Sequence, residues 1–230
     1  MKQIIKKLTA TALLSSALFQ ASAGVFEPVR DEQVPAGDPY AVVQPPIESP
    51  QLFKGKRVAI LASHGVEETE IVFPYTYLSD RGAKVDVLVP DWTPKGIVAS
   101  LFLKPTIWVK ASGTFSQGQS QEYDLVVLTG GAWNAQVVRS DPSAIKLITD
   151  HFLKDKPLAA ICAGTSVLIN AGIAKGTRLT GSPVVAPDLI NAGAKFADEA
   201  AVVDGNLLTS RTPNDLPAFV NGLRKQLIGR

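Results

Sequence analysis

The sequence predicts an α/β fold: a flavodoxin-like, doubly wound, mostly parallel sheet sandwiched by helices, with an appended β-hairpin. Three observations carry that expectation. Short apolar runs such as Val58-Ala59-Ile60-Leu61-Ala62 and Leu125-Val126-Val127-Leu128 are continuous rather than alternating, as in strands covered on both faces. Stretches with helical spacing follow most of them, the pattern of crossover units. Near the carboxyl terminus, Asp204-Gly205-Asn206 separates two short apolar runs and marks a hairpin turn.

The elements follow in order. Residues 58–62 form a first strand, and 67–80, with Ile71, Val72, Tyr75 and Leu78 on one side, a first helix that stops at Arg81-Gly82. Residues 85–89 give a second strand. Residues 92–121, bearing Gly, Ser and Thr, read as a long excursion with one or two short strands. The strand at 125–128 ends in Thr129-Gly130-Gly131, and Asp141-Pro142 opens a helix reaching Leu153. Residues 158–161 lead through Cys162 into a helix at 165–171. Residues 178–180 follow, then a helix-like 187–191, the hairpin strands 200–203 and 207–210, and a closing helix at 215–228. In such folds ligands bind outside the carboxyl ends of the strands. That rim collects the loop Ser63-His64-Gly65-Val66-Glu67-Glu68, the pair Gly130-Gly131, and Cys162.

The ends bound location and partners. Residues 1–23 have a basic start, a short apolar run and Ala21-Ser22-Ala23, the pattern of a secretory signal peptide. The run is too short to span a bilayer, and no cysteine near the cleavage site offers a lipid anchor. The expectation is a soluble periplasmic protein, without membrane insertion once the signal is cleaved. Residues 24–51 carry six prolines and read as an extended lead-in, so the compact domain occupies 52–230. Removing Lys2, Lys6 and Lys7 with the signal leaves 20 basic against 21 acidic residues, a net charge of −1. No basic excess remains to suggest a nucleic-acid partner.

Cys162 is the one cysteine in 230 residues. It can form no internal disulfide, and a free thiol in an oxidising compartment calls for burial, a chemical role or a mixed disulfide. A side chain on a strand-to-helix turn projects above the sheet edge, where amide N–H groups can receive negative charge. Glu70, one turn after Glu67 and followed by Ile71 and Val72, is placed to face the rim. Only a protonated carboxyl there would help the thiol ionise, because a carboxylate would repel the thiolate. Gly130-Gly131 allows close backbone approach, and the N–H groups of Gly131 and Ala163 could form an oxyanion hole. His64, in the loop after the first strand, is a candidate proton shuttle or substrate contact, whereas His151 reads as a surface or helix-end residue. No cofactor or metal site is read from the sequence.

Four segments, Gly65-Val66-Glu67-Glu68-Thr69-Glu70 with Pro74, Asp124 through Gly131, Ala159-Ala160-Ile161-Cys162-Ala163-Gly164 and Leu208-Thr209-Ser210-Arg211-Thr212-Pro213, resemble the DJ-1/PfpI (ThiJ/PfpI) family in residues and order. The resemblance implies a flavodoxin-like homodimer with a reactive nucleophile-elbow cysteine, Cys162. It also implies Glu70 as the protonated carboxyl against the thiol, with Gly131 and Ala163 supplying N–H groups. The chain departs from the family at its histidine. One branch places it directly after the nucleophile, where Ala163 stands; another uses a Thr-His-Pro-like segment, matched here by Gly181-Ser182-Pro183. A Cys-His-Asp hydrolase is therefore not supported. Two readings stand: an enzyme in which Cys162 adds to a small carbonyl compound or amide (glyoxalase, deglycase or amidase-like), and a non-catalytic oxidative-stress protein whose Cys162 meets an oxidant and becomes a sulfinate.

Overall fold

The computed structural model describes residues 24–28 and 43–229. The expected signal peptide at 1–23 and much of the proline-bearing lead-in lie outside the described residues. The central sheet has seven strands in the order Ala201–Asp204, Leu207–Ser210, Leu158–Ile161, Leu125–Leu128, Arg57–Leu61, Lys84–Val89, Gly113–Thr114. All neighbours are parallel except the edge pair Ala201–Asp204 and Leu207–Ser210, the hairpin read from Asp204-Gly205-Asn206.

Why the strands are apolar throughout is visible in the strand Arg57–Leu61. Val58 and Ile60 enter one core and Ala59 and Leu61 the other, so both faces are dry. The first core packs against Glu68–Ser79 and Leu216–Ile228 through Ile71, Leu78, Phe219 and Leu223. The second packs against Ala132–Ser140, Pro142–Leu153 and Val167–Asn170 through Ala135, Val138, Leu147, Ile148 and Leu168. Pro142–Leu153 starts where its sequence says it should: Asp141 caps the amides of Ser143 and Ala144 at 2.8 and 3.1 Å, and proline occupies the first turn.

The structure differs from the sequence expectation in three places. The excursion after the second strand contains two long strands, Gly96–Leu101 and Lys104–Lys110, paired antiparallel. Val66–Glu67 joins the outer edge of this pair in parallel register, with Glu67 opposite Ser100. Phe26–Pro28, from the lead-in, closes the other edge, with Phe26 buried. Second, Ala132–Ser140 is a helix where none was expected. Third, His151 is a helix-end residue but a buried one, its Nε2 2.8 Å from the Pro157 carbonyl oxygen. Among the described residues no helix is long and apolar enough to cross a membrane.

Candidate functional site

The carboxyl ends of four neighbouring strands bring the rim segments together. Leu158–Ile161 delivers Cys162 on a sharp turn, at φ 58°, a region that residues other than glycine rarely occupy. That strain is held from two sides: Thr165 Oγ1 donates to the Cys162 carbonyl at 2.7 Å and the Ser182 N–H at 3.3 Å. The five residues from Cys162 form a tight helical turn, which puts the Ala163 N–H beside the thiol, where it lowers the Cys162 pKa.

Glu70 arrives from the first turn of Glu68–Ser79 and is fully buried. Its position is set by Val66–Glu67, pinned in the outer sheet immediately before the helix. The carboxyl lies against the Cys162 thiol. Oε2 accepts the Gly130 N–H at 2.7 Å, while Oε1 has no hydrogen-bond partner apart from whatever the thiol offers. Burial pushes the Glu70 pKa up to about 8, against lowering by the thiol and the Gly130 N–H and with further raising by the charge of Glu67. At neutral pH Glu70 is therefore mostly the carboxylic acid. Burial also raises the Cys162 pKa, and ionised Glu70 raises it further, while the Ala163 N–H and the Ser182 side chain lower it. Two negative charges this close are mutually exclusive, so the pair gives up one proton before the second becomes accessible. With Glu70 protonated, the carboxyl changes from repelling the thiolate to donating to it.

The glycines have separable jobs. A Cβ on Gly130 would clash with Glu70 Oε2 and approach Cys162 Cβ to 2.6 Å, so only glycine lets the acid and the thiol meet there. Gly131, at φ 91°, lines the cavity above the thiol and starts the helix Ala132–Ser140. Around Sγ stand the Glu70 carboxyl, the Ala163 N–H and the Ser182 side chain. Asn134, buried on the unexpected helix, locks the loop. Its Nδ2 donates to the carbonyls of Thr129 and Gly130, each at 2.8 Å, and its Oδ1 accepts the Ser63 N–H at 2.6 Å.

Thus Cys162, Glu70, Gly131 and Ala163 line one cavity of about 700 Å³. His64 does not line it. Its Nδ1 accepts the Val98 N–H at 3.0 Å and its ring packs near Trp92 and Trp108, with its pKa lowered by burial. Ser182 and Asn134 were missed as site residues. The signal for Ser182 was its segment, Gly181-Ser182-Pro183, already noted as the place of an absent histidine; Asn134 had none. Among the described residues no group of three or more His, Cys, Asp or Glu side chains could hold a metal ion.

The model of the DJ-1/PfpI family matches residues 56–226, nearly the whole of this sandwich. The chain belongs to the DJ-1/PfpI family. It is 35% identical over 171 residues to a deglycase of Pyrococcus abyssi, covering 74% of this chain and 99% of that one. It is 33% identical over 171 residues to the deglycase PfpI of Pyrococcus furiosus, with the same coverage of both chains. A putative cysteine protease of Bacillus subtilis is 32% identical over 164 residues, 71% of this chain and 94% of its own. Among solved structures, Drosophila melanogaster DJ-1beta superposes with a TM-score of 0.69 at 28% identity, covering 76% of this chain and 91% of that one. Within the DJ-1/PfpI frame the departure here is local: Ser182, a neutral group, stands beside the thiol in the segment Gly181-Ser182-Pro183, which carries no histidine.

Proposed function

We propose that this protein is a Cys162-dependent enzyme acting on small carbonyl compounds, a 2-oxoaldehyde or its adduct with an amine. The observation that carries the reading is the pairing of the elbow thiol with a buried, mostly protonated Glu70 at the floor of a cavity. The similarity to relatives named deglycases supports it. Cys162 Sγ adds to the aldehyde carbon. The C=O π pair moves to oxygen, which takes a proton to give a hemithioacetal. Glu70, having given its proton to that oxygen while the thiol proton left to solvent, removes the proton from that carbon; the neighbouring carbonyl carbon receives a proton, and the hydroxyl proton passes from the first oxygen to the second. The result is a thioester of a 2-hydroxy acid, which water cleaves to the acid and the free thiol. The net change is addition of one water, with no external oxidant. A histidine-dependent peptidase is not favoured, because His64 is engaged by the Val98 amide and lies outside the cavity.

A second reading is favoured by one observation: the donors that would hold an oxyanion would also hold a sulfinate. In it the thiolate consumes two equivalents of peroxide, forms the sulfinate and releases two waters. Export to the periplasm and assembly as a homodimer belong to the proposal under both readings, on the strength of residues 1–23 and the family.

Lactate formation from methylglyoxal by the mature protein, with Cys162→Ser and Glu70→Gln alongside, separates the readings. Turnover is expected in the wild type alone. Equal rates in wild type and Cys162→Ser sink the enzyme, and a wild type that only gains two oxygens after mild peroxide leaves the second reading.

A further inference from the structure

The peptide joining Thr129 to Gly130 is held at both ends by side chains from different elements. Its N–H, on Gly130, donates to Glu70 Oε2 at 2.7 Å. Its C=O, on Thr129, accepts from Asn134 Nδ2 at 2.8 Å. A trans peptide is planar and its N–H and C=O point in opposite directions, so a grip on the oxygen fixes the aim of the N–H. Asn134 therefore acts on the buried acid without touching it.

The grip is built on three sides. Asn134 is 0% exposed, in the first turn of Ala132–Ser140. Its Nδ2 also serves the Gly130 carbonyl at 2.8 Å, and its Oδ1 accepts the Ser63 N–H at 2.6 Å. One N–H and two carbonyls around a single amide group admit only one orientation of that group. The Gly130 carbonyl is shared with the Glu67 N–H at 3.3 Å, and Thr129 Oγ1 donates to the Leu61 carbonyl at 3.1 Å. Behind the peptide, a Cβ on Gly164 would come within 2.5 Å of the Thr129 oxygen, so the backbone two residues after Cys162 packs directly against it.

The peptide needs a grip because glycine follows it twice, at 130 and 131, and glycine offers little resistance to rotation of the chain. Turned over, the peptide would present the Thr129 oxygen to Glu70. A carbonyl there would accept from the acid and repel the carboxylate, whereas the N–H now in place favours the carboxylate. The other groups acting on Glu70 are the Cys162 thiol and the charge of Glu67. With the N–H in place Oε2 is an acceptor, and the hydrogen of the acid belongs on Oε1, the oxygen left without another hydrogen bond.

We propose that Asn134 is a positioning residue of this site: by clamping the peptide between Thr129 and Gly130 it keeps a backbone donor on Glu70 Oε2 and assigns the acid proton to Oε1, from which it is passed on. The proposal rests on the carbonyl-enzyme reading for what that proton does, but its test reads the acid itself.

The infrared carbonyl band of protonated Glu70, identified as the band that Glu70→Gln removes, is followed against pH in wild type, Asn134→Leu and Arg81→Met. The Gly130 N–H lowers the Glu70 pKa, so its release should raise the midpoint. The expected rise in Asn134→Leu is about 1–2 pH units, the scale of one hydrogen bond to a charged group. Arg81→Met loosens the other end of the helix that carries Glu70 and leaves this peptide alone, so its midpoint should match wild type. A wild-type midpoint in Asn134→Leu overturns the proposal. So does an equal rise in both variants, because general loosening would then be enough.

Wild-type protein supplies a second measurement that requires no variant to fold. The Gly130 amide proton resonance should titrate with the midpoint of the infrared band, and the Asn134 side-chain amide should exchange slowly with solvent. A Gly130 resonance that ignores the titration, or fast exchange at Asn134, overturns the proposal as well. If these results hold and wild type does not turn over methylglyoxal, the carbonyl-enzyme reading fails alone; turnover with an unmoved midpoint in Asn134→Leu removes only this inference.

Discussion

Glu70 sits in the first turn of the helix Glu68–Ser79 and Arg81 just beyond its last, and both are buried, at 0% and 1% exposure. Their surroundings are opposites. Arg81 has a partner on every nitrogen: Nε donates to Glu48 at 3.0 Å, Nη1 to the Tyr77 carbonyl at 3.1 Å, and Nη2 to the carbonyls of Pro45 and Pro46 at 3.0 and 2.6 Å. Its guanidinium also lies 4.0 Å from the centroid of the Tyr77 ring. Glu70 has one backbone donor, a thiol and an oxygen without a protein partner. A buried charge with a partner on every nitrogen holds structure together, here by strapping residues 45–48 to the helix. One left short stays neutral and retains a proton it can give away.

The largest expected effect breaks the Glu70 side of this contrast. Its folded pKa, about 8, lies above the ordinary value of 4.5, so between those values the native state holds a proton that the unfolded chain has released. The Glu70 contribution to stability therefore falls as pH rises from about 4.5 to about 8 and levels off beyond. Glu70→Gln cannot titrate. In urea melts, wild type and variant should run together near pH 4 and diverge to a few kcal/mol in the variant's favour by pH 9, while turnover is lost. Parallel curves would mean that Glu70 is ionised and satisfied like Arg81.

Arg81→Met tests the other side. It removes donors from three carbonyls and Glu48 and is expected to cost about 3 kcal/mol, without changing the kcat of the folded protein. A loss below about 1 kcal/mol would show that the strap is not a stabilising contact. Gly130→Ala comes next, at about 2 kcal/mol from overpacking. By separating acid from thiol it should also lower turnover by roughly 100-fold. Thermal melts and kcat/KM on the same samples check both, and a fully active Gly130→Ala would show that the acid and the thiol need not touch.

The central strands were legible because burial on both faces forces continuous apolar runs, and Pro142–Leu153 because Asp141 and Pro142 write its start into the sequence. The site was legible where the chemistry is local: Cys162 on its turn, Glu70 ahead of Ile71 and Val72, and the glycine pair. Ala132–Ser140 was not. Trp133 and Val137 do not belong to its core face, and Gly131 before it reads as loop continuing. The outer sheet was underestimated because half its pairing comes from distant residues, Phe26–Pro28 and Val66–Glu67, which no local pattern announces. Ser182 reaches the thiol from another segment, so its role is fixed only by the fold.

Ser182 also gives the finest test of the contrast, because it supplies the thiolate with a donor that Glu70 cannot replace. Its side chain and the Ala163 N–H both lower the Cys162 pKa against the raising effect of burial. Removing one hydrogen bond to a charged group costs about 1.5–3 kcal/mol of thiolate stability, a rise of roughly 1–2 pH units in the midpoint for alkylation. Ser182→Ala should show that rise in an iodoacetamide pH profile, while in urea melts the fold loses no more than the ~1 kcal/mol of a neutral hydrogen bond. If the midpoint does not move, burial, Glu70 and the Ala163 N–H govern the thiol without Ser182. If Ser182→His instead carries the midpoint below that of wild type, the segment Gly181-Ser182-Pro183 is the place where this chain set the reactivity of its one cysteine.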